Sequence, residues 1–211
     1  MTLCPKRVLS RYIQHFSLTM DFLRKIAGAE PLPAGGAAAA YTLGLAVGLL
    51  NKVVLLEIYR HADSPDVEKN LLLIKKGLEK LLKDIEILTQ EDAETFKRFD
   101  QSRRANITSR LEVDFTAAID VSMSLLRKSD ETFDWIRHLH PLTLRQMIPH
   151  LLVASELVMG AINATSHVVR DNIHSTGVSV NHETDLQRLN ALQEGYHDKY
   201  LGLIQQLTPE V

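Results

Sequence analysis

A row of apolar residues steps by four and three through Val67, Leu71, Ile74, Leu78, Leu81, Ile85 and Leu88, and four residues further on it reaches a carboxylate, Asp92. The same face continues through Thr95, Phe96 and Phe99, so a single acid sits within an otherwise apolar helical row. Such a group is costly to bury. It must be paired, hydrogen-bonded, protonated or open to a cavity, and each case shifts its pKa. A carboxyl group held this way is suited to moving protons. The competing reading starts a new helix at Gln90-Glu91-Asp92 after a break at Thr89, which makes Asp92 a first-turn acid facing the helix dipole.

A second group of residues is suited to holding a ligand. Pro33-Ala34-Gly35-Gly36-Ala37 leads directly into an alanine-rich stretch. Glycines ahead of a helix let the backbone aim its unpaired N–H groups outward, where an anionic or carbonyl-bearing molecule can accept them; as a turn the same glycines serve only geometry. His150, at the start of another apolar stretch, leads a face of Val153, Leu157, Ala161, Ala164, Val168 and Asn172, so two polar groups bracket a seam of small and apolar residues. A hydrogen-bonded structural histidine is the alternative there. Arg103, Arg104 and Arg110 form a basic cluster that either is solvated or holds carboxylates, for which guanidinium is well shaped. With no His-x-x-x-His pair and no acidic cluster, no metal site is expected, and neither a nucleophile elbow, a Walker loop nor a dinucleotide fingerprint is present.

The elements that must position these residues read as helices throughout. Ser64-Pro65-Asp66 is a strong start signal, with a hydroxyl cap, a proline at the first helical position and an acid at the positive dipole end. Further long helices are predicted over Ala37 to His61, Thr108 to Lys128, Pro149 to Ile173 and Thr184 to Leu207, with shorter ones over Leu18 to Ala27 and Asp130 to Leu139. The connections are short and carry Gly, Pro, Ser and Asn, as between antiparallel neighbours in a bundle. The expected architecture is an all-α antiparallel multi-helix bundle: an amphipathic extension over 1–16, then one helical domain over 17–211. Gly44 and Gly48, four apart among alanines, permit close helix approach, within the bundle or across a dimer.

The 211 residues suffice for one domain with a sizeable core, and 45% hydrophobic with 24% charged residues is ordinary globular usage. A net charge of −2 gives no bulk attraction to nucleic acid or anionic lipid, so neither is an expected partner. Cys4, the only cysteine, excludes an intrachain disulfide and suits a reducing, cytoplasmic setting. Residues 1–16 lack the apolar stretch of a signal peptide. The apolar run from Ala38 to Leu50 is expected to end at Asn51-Lys52, short of the ~20 residues of a membrane span.

Taken in order, these features resemble the formiminotetrahydrofolate cyclodeaminases and the related methenyltetrahydrofolate cyclohydrolases. The resemblance covers nearly the whole chain after Ser17: Phe22-Leu23, the Pro33 to Ala37 loop, Asp92-Ala93-Glu94-Thr95-Phe96, and Asn172-Ile173. Ala34 stands where that family usually has glycine, Ala37 where it has serine, Thr95 where a small residue precedes the phenylalanine, Pro149-His150 where it has Ser-Asp, and Val168 where it has asparagine. Lys52 and Glu57 enter positions that the family keeps apolar or uncharged.

The resemblance implies a helical subunit that pairs into a homodimer and holds a reduced folate near the glycine-rich loop. The family reactions either close an N5-formimino group onto N10 of tetrahydrofolate with loss of ammonia, or interconvert methenyl and formyl forms with water. A tetrahydrofolate derivative is then the substrate and no cofactor or metal is required. By the same resemblance Asp92 is the acid/base and His150 a substitute proton-transfer or orienting group. Pro33, Gly35, Gly36, Ala37 and Asn172 contact the ligand, and Arg103 or Arg104 holds its glutamate tail. Two other classes compete: a non-catalytic helical folate-binding or scaffold protein, and an enzyme acting on another pterin or amidine-like substrate.

Overall fold

A computed structural model describes residues 21–30, 32–105, 108–175 and 182–208, and the 1–16 extension lies outside them. The chain forms two compact units, Met1–Ala34 and Gly35–Val211. In the first, 21–26 are helical, Asp21 and Arg24 pair on an exposed face at 2.9 Å, and the Leu32–Pro33 peptide bond is cis.

The second unit is built from five long helices among the described residues: α1 (Gly35–Arg60), α2 (Pro65–Arg104), α3 (Thr108–Leu139), α4 (Ile148–Ser175) and α5 (His182–Leu207). Two 3-10 turns, His140–Leu142 and Arg145–Met147, join α3 to α4. Helix α1 packs along α2 and α4, α2 along α3, and α3 along α4, closing a four-helix ring; α5 lies mainly against α4. Asp84 and Ser102 of α2 bond Lys128 and Asp114 of α3, and Glu156 and Arg170 of α4 bond Tyr200 and Asn190 of α5.

Each helix follows from its apolar spacing. The α2 row buries Leu71, Ile74, Leu78, Leu81, Ile85 and Phe99 against α1 and α3, with Val67, Leu88 and Phe96 partly covered. No break occurs at Thr89, whose hydroxyl bonds the Ile85 carbonyl one turn back, and α2 runs unbroken for 40 residues. Pro65 opens it with Asp66 and Glu68 in the first turn, but the Ser64 hydroxyl makes no capping bond; only its carbonyl accepts the Glu68 N–H. The two helices expected over Thr108 to Lys128 and Asp130 to Leu139 are one. At the supposed gap Ser129 is buried and bonds the Leu125 carbonyl, Lys128 reaches Asp84 of α2, and Asp130 pairs with Lys199 of α5.

The helix expected over Ala37 to His61 is α1, but its apolar run does not end at Asn51, for Val53 and Val54 beyond it are fully buried. By length and composition alone Gly35–Arg60 and Arg145–His174 are apolar enough to cross a membrane, a test that core helices of soluble proteins also pass. Both line the interior of the ring, where Leu43, Ala46, Val47, Leu50, Leu151, Ala154, Val158 and Ile162 are fully buried.

Candidate functional site

The first turn of α1 is wedged between α2 and α4. A Cβ added at Gly36 would stand 2.6 Å from Asp92 Oδ1 and 2.7 Å from its Cγ, and one added at Gly35 would stand 3.3 Å from Val168 Cγ2. No real side chain tolerates the first of these distances. The two glycines are therefore the reason that α1 can begin where it does, with its unpaired N–H groups beside a carboxylate. That carboxylate is Asp92, half-buried on the continuous face of α2.

Among the described residues no cation and no hydrogen-bond donor reaches the Asp92 carboxyl group, and burial raises its pKa from the ordinary 3.8. The direction follows from desolvation, which penalises the charged form. Directly behind it the Thr95 hydroxyl bonds the Glu91 and Asp92 carbonyls at 2.8 and 3.2 Å, which fixes this turn of α2. Asn172 stands one turn beyond Val168 on α4 and is 7% exposed. Gly35, Gly36, Asp92, Val168 and Asn172 thus converge at one end of the ring, and Ala37, on α1, is buried there. Pro33 belongs to the first unit.

His150 is not part of this group. It lies in the first turn of α4, eighteen residues before Val168 on an unbroken helix, about 27 Å away along the axis. Within one chain it cannot share a proton-transfer step with Asp92. It is half-buried with a buried Nδ1 that has no hydrogen-bond partner among the described residues, so the hydrogen-bonded structural role is not seen there either. The arginines are also engaged otherwise. Arg103 and Arg104 each bind Asp100 at 2.8 Å, Arg103 lies 5.9 Å from the centre of the Phe99 ring, and both sit on the last turn of α2, about 17 Å along the helix from Asp92. Their contacts hold Asp100 below the usual carboxylate range, led by the hydrogen bond from Arg103.

One polar centre was not singled out as a site. Glu57, 0% exposed near the end of α1, accepts two bonds from Arg60 at 2.8 and 2.7 Å and one from the Leu144 N–H at 3.0 Å. It ties α1 to the connection between α3 and α4, at the end of α1 opposite Gly36. Its sequence signal was a charge on a helix face of Leu50, Val53 and Val54.

Comparison with known proteins agrees with this architecture. The structure is similar to that of a formiminotetrahydrofolate cyclodeaminase from Thermotoga maritima, with a TM-score of 0.75 over 88% of this chain and 91% of that one, at 19% identity. At that identity the likeness establishes the fold. No curated protein sequence matches at a significant level. The family model described as formiminotransferase-cyclodeaminase matches residues 19–186, well over half of the chain. By that match the chain belongs to the formiminotransferase-cyclodeaminase family.

Proposed function

We propose that the chain is a folate enzyme whose reaction centre is Asp92, facing the glycine-opened start of α1. The observation that carries the reading is the half-buried Asp92 carboxyl group, with no cation beside it among the described residues and held against Gly36. Ring closure of a formimino group, in which N10 attacks the formimino carbon and ammonia departs, passes through a tetrahedral carbon. So does hydration of a methenyl group. Each needs a group that gives a proton to, or takes one from, a nitrogen or oxygen on that carbon. A carboxyl group whose pKa is raised toward neutrality fits the role, and the first-turn N–H groups of α1 would hold the ligand's carbonyl or anionic atoms. The reading asks for no metal or cofactor. A hold on a glutamate tail by Arg103 or Arg104 would require either one to exchange Asp100 for the ligand.

A second reading has its own observation. Val168 closes on Gly35 and Ala37 is buried, so apolar groups occupy places that the resemblance gives to asparagine and serine. A site so depleted of polar groups would bind a reduced folate without turning it over. Incubation with N5-formiminotetrahydrofolate and with methenyltetrahydrofolate, following ammonia release and the methenyl absorbance, separates the readings. Turnover supports the enzyme; a folate-induced thermal shift without turnover supports the binding protein; neither, at millimolar ligand, ends the folate assignment.

We further infer an antiparallel bundle that works as a soluble, cytoplasmic homodimer. Leu45, Gly48, Lys52, Leu55 and Tyr59 recur at steps of three and four along α1 and are all exposed, Leu45 by 50% and Tyr59 by 87%. A Cβ at Gly48 would meet nothing within 4 Å, and one at Gly44 only Leu82 at 3.9 Å. The small-residue seam therefore goes unused inside the subunit. A second copy of the stripe is its natural cover.

A further inference from the structure

One residue beyond Val168, an adjoining face of α4 borders a cavity of about 120 Å³ between α3, α4 and α5. Its floor includes Ile119, Met123 and Val169, all buried. Its walls carry charges of both signs: Asp120 and Arg127 from α3, Asp185 and Arg188 from α5. Among the described residues none of these four forms a salt bridge, and Arg127 donates only to the Ser124 hydroxyl at 2.8 Å.

The open state of Asp185 and Arg188 runs against the habit of this chain. An acid followed three residues later by arginine closes into an ion pair at Asp21–Arg24, Glu57–Arg60, Asp100–Arg103 and Asp134–Arg137, at 2.9, 2.7, 2.8 and 3.0 Å. The spacing makes the two side chains neighbours on one helix face. At Asp185–Arg188 alone the pair stays apart, and both members border the cavity. An open pair of opposite charges beside an apolar floor complements a molecule with adjoining positive and negative groups and an apolar body.

We propose that this cavity binds an α-amino acid with an apolar side chain. Its carboxylate meets Arg188, its ammonium meets Asp185, and its side chain lies over Ile119, Met123 and Val169. Asp120 and Arg127 complete the charge balance from the facing wall. The volume holds on the order of ten water-sized groups, enough for an amino acid of leucine's size. The site is separate from Asp92, and the proposal does not depend on the folate reading.

Thermal-shift titration of the full chain with L-leucine tests it, with 4-methylpentanoate and 3-methylbutan-1-amine as comparators that lack one charge each. L-Leucine should raise the melting temperature in a saturable way, while both comparators leave it unchanged at about 10 mM. Arg188→Gln and Asp185→Asn, at surface positions, should keep the ligand-free melting temperature and weaken leucine binding about tenfold or more. No shift with L-leucine overturns the proposal, as does an equal shift from either comparator or unweakened binding in either variant.

Discussion

Gly36 and Asp92 fill one another's space: the Asp92 carboxyl group stands where any side chain at Gly36 would have to go. The pair lies 56 positions apart in sequence, and it joins the start of α1 to the far half of α2 at the point where the acid loses its water.

Gly36→Ala should therefore act through Asp92. The added methyl forces α1 or the carboxylate aside, an overpacking cost of about 1–3 kcal/mol in denaturant unfolding. In the background Asp92→Gly the same substitution should cost little, because the obstructing carboxylate is gone. A double-mutant cycle measures this coupling. If the two losses simply add, the contact does not control the start of α1.

Gly48→Leu carries opposite signs under two assemblies. In an isolated subunit a Cβ at this position meets nothing within 4 Å among the described residues, and leucine in place of an exposed helical glycine should stabilise by up to about 1 kcal/mol. In a dimer sealed by the stripe from Leu45 to Tyr59 it overpacks the seam, and sedimentation should show dissociation at concentrations where the parent chain is paired. A raised melting temperature with an unchanged sedimentation coefficient would place the interface elsewhere.

The sequence carried the helices well and their heights poorly. Apolar periodicity located α2 and its buried face from Leu71 to Phe99, because burial of one stripe is what holds that helix. It separated α3 at Lys128-Ser129-Asp130, where three polar residues look like a loop but are satisfied by Asp84, the Leu125 carbonyl and Lys199. Asp84 and Lys199 come from other helices and leave no local mark. The same limit governs the site. Spacing put His150 and Asn172 on one face of α4, and they do share one helix, yet a face says nothing about position along the axis. Asp92 and the paired glycines were legible as unusual; their contact was not, since it depends on how α1 and α2 are set against each other.

Removing Glu57 should unfasten the opposite end of the ring. Glu57→Ala leaves the Leu144 N–H without its partner and Arg60 without its carboxylate. Breaking such a buried pair costs about 3–5 kcal/mol, and here about 2–4 is expected because Arg60 is 32% exposed and regains water. Glu57→Gln, which can still accept the Leu144 N–H, should lose less. Ligand binding beside Gly36 should survive in both. A midpoint in denaturant equal to that of the parent chain would mean the connection between α3 and α4 is held by its apolar contacts alone.

Asp92→Asn should raise stability and abolish proton transfer at once. Burial raises the folded pKa of Asp92 above its unfolded value near 3.8. Below that value both states are protonated and the group contributes nothing. As pH rises from there through the folded pKa, the unfolded chain releases its proton first, so stability falls with pH, and above the folded pKa the penalty is complete. Asparagine has the same shape and no charge to desolvate. The variant should therefore unfold at a higher denaturant concentration than the parent at neutral pH, with the advantage shrinking to nothing as pH falls to the ordinary carboxylate range. A chain that turns over folate through Asp92 should meanwhile lose a factor on the order of 10²–10⁴ in turnover with affinity nearly intact. The two readouts divide the outcomes. A pH-dependent gain in stability with unchanged turnover leaves Asp92 buried but idle, and the mechanism fails. A loss of stability at neutral pH means that the carboxylate is held by contacts that favour its charge, and the raised pKa on which the mechanism rests fails with it.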